Sequence, residues 1–255
     1  MAEQLKVLNS NVRGLNDGAK RAAVRAFIEC MASSIVCLQE TKLSSLSDAL
    51  RLEITGPRYD GHASLNANGT RGGVLLLWQC DAFTAMSLDV RSWSITVCLL
   101  PVDGSHPWTI TTVYGPHDEP RKQSFLAQLV DMHNSIVGPW MILGDFNLNL
   151  DRRWMARFRA SLNTSNLHEI PLIGRKYTWS NEQDPPTLVR LDRAFCNTDW
   201  EQRFDAAKLL PQSMGFSDRC PLLLINDGIV KTSKRFRFET YWQFVDGFND
   251  VVAQA

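Results

Sequence analysis

Apolar and polar positions alternate along this chain in short runs that end abruptly in charged or amide side chains. Residues 5–8 form an apolar strand. The segment 17–31 then predicts a helix, with Ala22, Ala23, Ala26, Phe27 and Cys30 falling on one stripe. A compact buried strand follows at 35–38 and runs straight into Gln39-Glu40-Thr41. Runs rich in β-branched and aromatic residues at 72–78, 84–90, 93–100 and 108–114, separated by Gly, Pro, Asp and Ser, predict four strands. The segment 119–134 reads as a helix, with Pro120 suited to its first turn and Phe125, Leu126, Leu129 and Met132 on one face. A strand at 140–143 ends at Gly144-Asp145, and a basic amphipathic helix at 152–163 should turn Trp154, Met155 and Phe158 inward. Further strands are predicted at 177–179, 189–195 and 222–225. Strand-rich halves with helices between them predict a layered α/β sandwich.

Four of these strand ends carry the chemistry: LNSNVRGLN at 8–16, CLQETK at 37–42, ILGDFN at 142–147 and GFSDRCP at 215–221. Each delivers an Asn, Glu or Asp to what can be one cluster. Hard oxygen ligands and amide donors are what a magnesium-dependent phosphodiester hydrolase needs. Single residues do not decide the matter. Glu40 alone reads equally as a solvated loop residue, and Asp218 as a turn cap. Asp145 and Asn147, two apart, can address one phosphate from an extended backbone or form an Asx turn after a buried strand. Asn11 has the same ambiguity, whereas Asp192 in VRLDRAF is more telling, because an Asp inside an apolar strand is costly unless paired or ligated.

The charge balance changes the picture of any ligand. The 255 residues hold 27 basic and 27 acidic side chains, so nucleic acid would have to be held by local basic patches rather than a global field. Two such groups stand out. Arg152, Arg153, Arg157 and Arg159 share one predicted helix, and Lys231, Lys234, Arg235 and Arg237 share a basic, aromatic C-terminal stretch. Both can grip phosphates or simply form solvated faces. The six cysteines show no CxxC pairing and read as buried reduced thiols. No leader-like or membrane-spanning apolar stretch is seen, which predicts a soluble, intracellular monomer.

The ordered segments resemble the endonuclease/exonuclease/phosphatase superfamily, the DNase I-like fold shared with exonuclease III type repair nucleases, over roughly residues 5–226. VRGLN, TTVYGPH, GPWMILGDFN, RRWMARFRA, GRKYTWSNE and PTLVRLDRAFCNTDW look like the endonuclease domain of plant LINE-type non-LTR retrotransposons. The resemblance implies a four-layer α/β/β/α sandwich over 1–226, acting on double-stranded DNA with Mg²⁺ or Mn²⁺, in the nucleus if functional. Residues 227–255 resemble the connector to a reverse transcriptase. It assigns Glu40 as principal metal ligand with Asp218 beside it, and Asp145 to the attacking water. Asn11, Asn147 and Tyr114 would contact the phosphate. Thr178 and Trp179 would line the nucleic-acid groove, with Ser217, Arg152 and Arg153 as further contacts; a core position is the alternative for Trp179. Asp192 would orient a histidine following the Asp of an SDH motif.

Two departures weigh against full activity. The chain reads Ser217-Asp218-Arg219, and His62, His106, His117, His133 and His168 all belong to segments away from that position, with none an obvious substitute. Arginine is permanently protonated and cannot act as a base, and losing one acid–base group costs about 10²–10⁴-fold in rate. Arg219 should instead pair with Asp192 or Asp145. Only residues 148–151 separate GDFN from the Arg-rich helix, a shorter loop than related domains carry. The expectation is a nuclease with an impaired site. The alternatives are a working site with a tolerated deletion, a catalytically inactive remnant that binds DNA or protein, and a phosphatase of the same fold.

Overall fold

The computed structural model describes residues 5–148, 151–181, 183–214 and 218–226. The basic stretch 227–255, Ser217 and the loop residues 149–150 lie outside the described residues.

Two six-stranded mixed sheets pack face to face, with helices on both outer sides. The first sheet runs β13 (Lys208–Pro211), β14 (Leu222–Asn226), β1 (Leu5–Asn11), β2 (Ile35–Gln39), β4 (Val74–Trp78), β3 (Gly61–Leu65). The second runs β5 (Phe83–Val90), β6 (Ser94–Pro101), β7 (Trp108–Tyr114), β8 (Trp140–Asp145), β12 (Asp192–Cys196), β9 (His168–Glu169), and β10 (Trp179–Ser180) and β11 (Leu188–Val189) form a separate two-stranded pair, which divides the predicted strand 189–195. Each sheet contains one parallel pair bridged by a helix: α1 (Gly18–Met31) between β1 and β2, and α3 (Glu119–Ser135) between β7 and β8. Parallel neighbours need such a crossover, which puts helices on the outer faces and buries the strands on both sides. This is the four-layer α/β/β/α sandwich that the family resemblance implies.

Alternation along the strands sorts side chains between layers. Leu5 and Val7, Ile35 and Cys37, Ile110, Met141 and Leu143, and Ala194 and Cys196 fill the core between the sheets. Leu8, Val36 and Leu38 point the other way, against α1 and α2 (Asp48–Thr55). Val113, Ile142 and Phe195 meet α3 and α4 (Arg152–Thr164) on the opposite outer face. As expected, Phe125, Leu126, Leu129 and Met132 of α3 are buried, and α4 buries Trp154 and Phe158, with Met155 packed partly against them.

Several expectations are corrected. In α1 the core side is made by Val24 and Ile28, with Phe27 and Met31 partly packed; Ala22, Ala26 and Cys30 are exposed. Alanine contributes little burial area, so the branched side chains decide which face docks. Cys30 and Cys80 are exposed and Cys98 is partly so, leaving Cys37, Cys196 and Cys220 as the buried thiols. The helices α2 and α5 (Thr198–Arg203) and the strands β3, β9 and β13 carry weak patterns and are not predicted. Among the described residues, no helix is long and apolar enough to cross a membrane.

Candidate active site

The strand ends named by sequence converge at one edge of the sandwich. Tyr114 lies opposite Asp145 in the parallel pair β7–β8, and Asp192 lies opposite Asp145 in the antiparallel pair β8–β12. By the two-residue period, Tyr114, Asp145, Asp192 and Asn11 sit on the same side of their strands as the core residues between the sheets. The space between the sheets is apolar in its middle and turns polar toward this edge. There Gln39 Nε2 donates to Asn9 Oδ1 at 2.8 Å and to Thr112 Oγ1 at 2.9 Å. Beyond them Asn11 Nδ2 crosses from one sheet to donate to Asp145 Oδ2 of the other at 2.8 Å.

Asp145 is fully buried and serves two purposes at once. Its Oδ1 accepts from the Asn147 backbone N–H at 3.0 Å, forming the Asx turn; its Oδ2 faces the cluster. GDFN therefore forms the Asx turn, and the extended backbone expected through Asn147 is not formed. Asn147 adopts a left-handed conformation (φ +48°) and donates from Nδ2 to Gly115 O at 2.7 Å. Gly144 is obligatory here, because its φ is +147° and a Cβ would stand 2.1 Å from Val113 O.

Arg219 occupies the centre. Only 8% exposed, its Nη2 lies 3.1 Å from Asp145 Oδ2 and its Nη1 lies 3.7 Å from Asp192 Oδ2. Burial works against its charge, but Asp145, Asp192, Asp218 and Glu40 together outweigh this and raise its pKa. Asp192 is pushed up to about 7, first by burial and then by the Asp145 charge, with Arg219 pulling the other way. Burial and the charges of Glu40 and Asp145 hold the Tyr114 phenol well above its ordinary value.

Glu40 follows β2 in a left-handed conformation (φ +55°), a region a non-glycine residue occupies only when its surroundings hold it there. Its neighbours do so: Gly14 N–H donates to Glu40 O at 2.7 Å, and Thr41 and Lys42 N–H donate to Gly73 and Gly72 O. Arg13 and Lys42 share this unusual backbone. Lys42 Nζ lies 3.2 Å from Glu40 Oε1, and Arg13 Nη1 lies 2.7 Å from Asp218 Oδ2. Neither cation is singled out by the sequence reading, although both lie inside the segments VRGLN and CLQETK.

Trp179 is half-buried and donates from Nε1 to Asp218 Oδ2 at 2.9 Å, so it positions a carboxylate rather than filling the core. Thr178 corrects an expectation. It is fully buried, and its Oγ1 accepts from the backbone N–H groups of Leu191 (3.0 Å) and Asp192 (3.1 Å), so it supports the Asp192 strand instead of lining a groove. Arg152 lines a cavity beside α4, whereas Arg153 is exposed and pairs with Asp151 at 3.6 Å. A second correction concerns the histidines: His117 Nε2 lies 3.0 Å from Tyr114 Oη, which brings one histidine to the border of the cluster. The signal lay in the segment VYGPH, three residues past Tyr114 on the same chain turn.

A metal fits the donor chemistry here in a limited way. Among the described residues no three His, Cys, Asp or Glu side chains converge to hold an ion by themselves. Mg²⁺ does not require that; it takes one or two carboxylates and completes its shell with water and phosphate oxygens. Glu40 supplies one carboxylate, and Asp218 Oδ1 is buried without a hydrogen-bond partner among the described residues, as an unused hard ligand would be.

The family model for the endonuclease/exonuclease/phosphatase family matches residues 8–218. The fold is shared with the AP endonuclease LMAP from Leishmania major, at 18% identity over 88% of each chain with a TM-score of 0.67. It is shared equally with the endonuclease domain of TRAS1, a telomere-specific non-LTR retrotransposon, at 16% identity over 89% of this chain and 100% of that one, TM-score 0.67. The catalytic domain of Xenopus laevis APE2 matches at 15% identity over 87% of this chain and 92% of that one, TM-score 0.65.

Proposed function

Because the chain belongs to the endonuclease/exonuclease/phosphatase family, we propose that it is a Mg²⁺-dependent phosphodiester hydrolase of the DNA-nicking, retrotransposon type, working with an impaired site. Mn²⁺ is the alternative ion, double-stranded DNA the substrate, and the monomer the working unit. The observation that carries the impairment is the 3.1 Å contact between Arg219 and Asp145. A carboxylate that faces a permanent cation is a weaker base for water, and the guanidinium holds its protons too tightly to pass one to a leaving group at neutral pH.

In this reading Glu40 and Asp218 hold the ion, which when bound polarises the phosphate and offsets its charge. Asp145 Oδ2 takes a hydrogen bond from the attacking water. The Asn147 amide carries two N–H donors and spends one on Gly115 O at 2.7 Å, leaving the other for a phosphate oxygen. Tyr114, whose pKa is raised, stays a neutral O–H donor across the physiological range. Arg219 and Asn11 add charge-assisted donors near the oxyanion. Arg219 thus favours binding of a phosphate more than its hydrolysis. This supports the second reading, a DNA-binding protein of the same fold without turnover.

Nicking of supercoiled plasmid with Mg²⁺ tests these readings, comparing the protein with Arg219→His and Glu40→Ala. Slow nicking that rises at least tenfold in Arg219→His and vanishes in Glu40→Ala supports the hydrolase reading. DNA retention without any nicking, even in Arg219→His, supports the binding reading. Rapid nicking by the unaltered protein, lost in Glu40→Ala, would sink the impairment.

A further inference from the structure

A cavity of about 640 Å³ lies between α4 and the 176–193 segment. Five of its lining side chains are cations: Arg152, Arg159, Lys176, Arg190 and Arg193. Arg152 and Arg159 are seven residues apart on α4, two helical turns, and so share a face. The other two arginines of that helix turn elsewhere: Arg153 pairs with Asp151, and Arg157 bonds Gln123 and lies over the Trp154 ring.

One carboxylate answers this charge. Glu169 Oε1 lies 3.3 Å from Arg190 Nη2 and 2.9 Å from Arg193 Nη1. Among the described residues, Arg152, Arg159 and Lys176 have no ion-pair partner. Among the described residues, Arg190 Nε is buried without a hydrogen-bond acceptor, an arrangement that is costly until something supplies one. Burial lowers the Arg190 pKa; Glu169 opposes this and Arg193 adds to it. The remaining wall is apolar, with Tyr177, 40% exposed, and the side chains of Met155 and Val189.

We propose that this cavity binds one nucleotide unit of a nucleic-acid strand, its phosphate on the arginines and its sugar or base against Tyr177 and Met155. Guanidinium forks match phosphate oxygens in pairs, and an exposed aromatic ring offers a base a stacking surface. The volume falls in the ordinary range of small-ligand sites. The cavity adjoins the cluster along the chain: Leu148 follows Asn147, Tyr177 precedes Thr178, and Arg193 follows Asp192 on the opposite face of β12. The inference rests on the nucleic-acid reading of that site and is tested without cleavage.

Calorimetric titration with thymidine 5′-monophosphate, thymidine and inorganic phosphate reads the cavity directly, and binding of a short single-stranded DNA across salt concentrations reads the strand. The exposed helix positions Arg152→Gln and Arg159→Gln are changed together, and circular dichroism checks that the fold is kept. The monophosphate should bind at least tenfold tighter than thymidine or phosphate, and the double variant should lose at least tenfold. The DNA salt slope should fall by about two, about one for each phosphate contact removed. Equal binding of monophosphate and bare phosphate, or monophosphate binding indifferent to the double variant, would overturn the proposal. Monophosphate binding that behaves as expected, in a protein that neither binds nor cuts DNA, would keep the cavity and overturn the nuclease reading instead.

Discussion

Arg219 Nη2 lies 3.1 Å from Asp145 Oδ2, in a site where the arginine is 8% exposed and the aspartate fully buried. The pair links the end of β8 to the segment before β14, and so ties the two sheets together at their polar edge. Removing one member of a buried pair leaves an uncompensated charge, which costs about 3–5 kcal/mol. Arg219→Ala should lower stability in that range in denaturant unfolding. Adding Asp145→Asn to it should recover part of the loss, and simple additivity of the two changes would show that the contact carries no coupling.

Asp192 predicts a pH dependence. Burial and the neighbouring Asp145 charge push its carboxyl up to about 7 in the folded protein, from the ordinary aspartate value of 3.8. Between those values the folded protein keeps a proton that the unfolded chain releases. Its contribution to stability is therefore greatest below about pH 4 and declines as pH rises to about 7. Asp192→Asn should remove that decline, so the difference between the variant and the unaltered protein should change across this window and be flat above it.

Thr178 should matter through its hydroxyl. It accepts from two backbone N–H groups, those of Leu191 and Asp192, in a fully buried position. Thr178→Val keeps the shape and leaves both donors unsatisfied, at about 1–3 kcal/mol each. Thr178→Ser should retain most of the stability, since it retains the oxygen. Thermal unfolding of the two variants side by side separates the hydroxyl from the methyl group.

Trp179 should act on metal binding through Asp218. Its Nε1–H donates to Asp218 Oδ2, which also pairs with Arg13. Trp179→Phe keeps the ring and loses the donor. If Asp218 holds the ion, Mg²⁺ affinity measured by calorimetry should change severalfold, while Glu40→Ala should abolish it. Unchanged Mg²⁺ affinity in both variants would remove these two carboxylates from the metal site.

Long elements with strong periodicity were legible from the sequence. α3 and the strands β2, β6, β7 and β8 carry enough large apolar side chains at the right period to declare themselves. The helix α2, with only Arg51, Ile54 and Thr55 buried, and the short β9 and β13 do not, because their burial is supplied by neighbours. In α1, a stripe of alanines matched the helical period but lost to Val24 and Ile28. Of the site, the residues at strand ends were named because a carboxylate or amide after an apolar run stands out. Arg13, Lys42 and His117 were not: the partner of Arg13 lies far off in the chain, and the left-handed backbone at Glu40 and Lys42 and the turn after Tyr114, which bring Lys42 to Glu40 and His117 to Tyr114, are not written in residue type.

By itself the sequence determined which residue types stand at the ends of which strands, and that arginine occupies position 219. These follow from period and identity, which are local. Only the tertiary structure decided that strand register sets Tyr114 and Asp192 on either side of Asp145, that Asn11 reaches across from the other sheet, and that Arg219 spends its charge on Asp145. It also turned Thr178 inward and divided the arginines of α4 between a cavity and solvent. The reason is that hydrogen bonds and ion pairs depend on separations of a few ångströms, and those are fixed by pairing and packing between segments far apart in the chain.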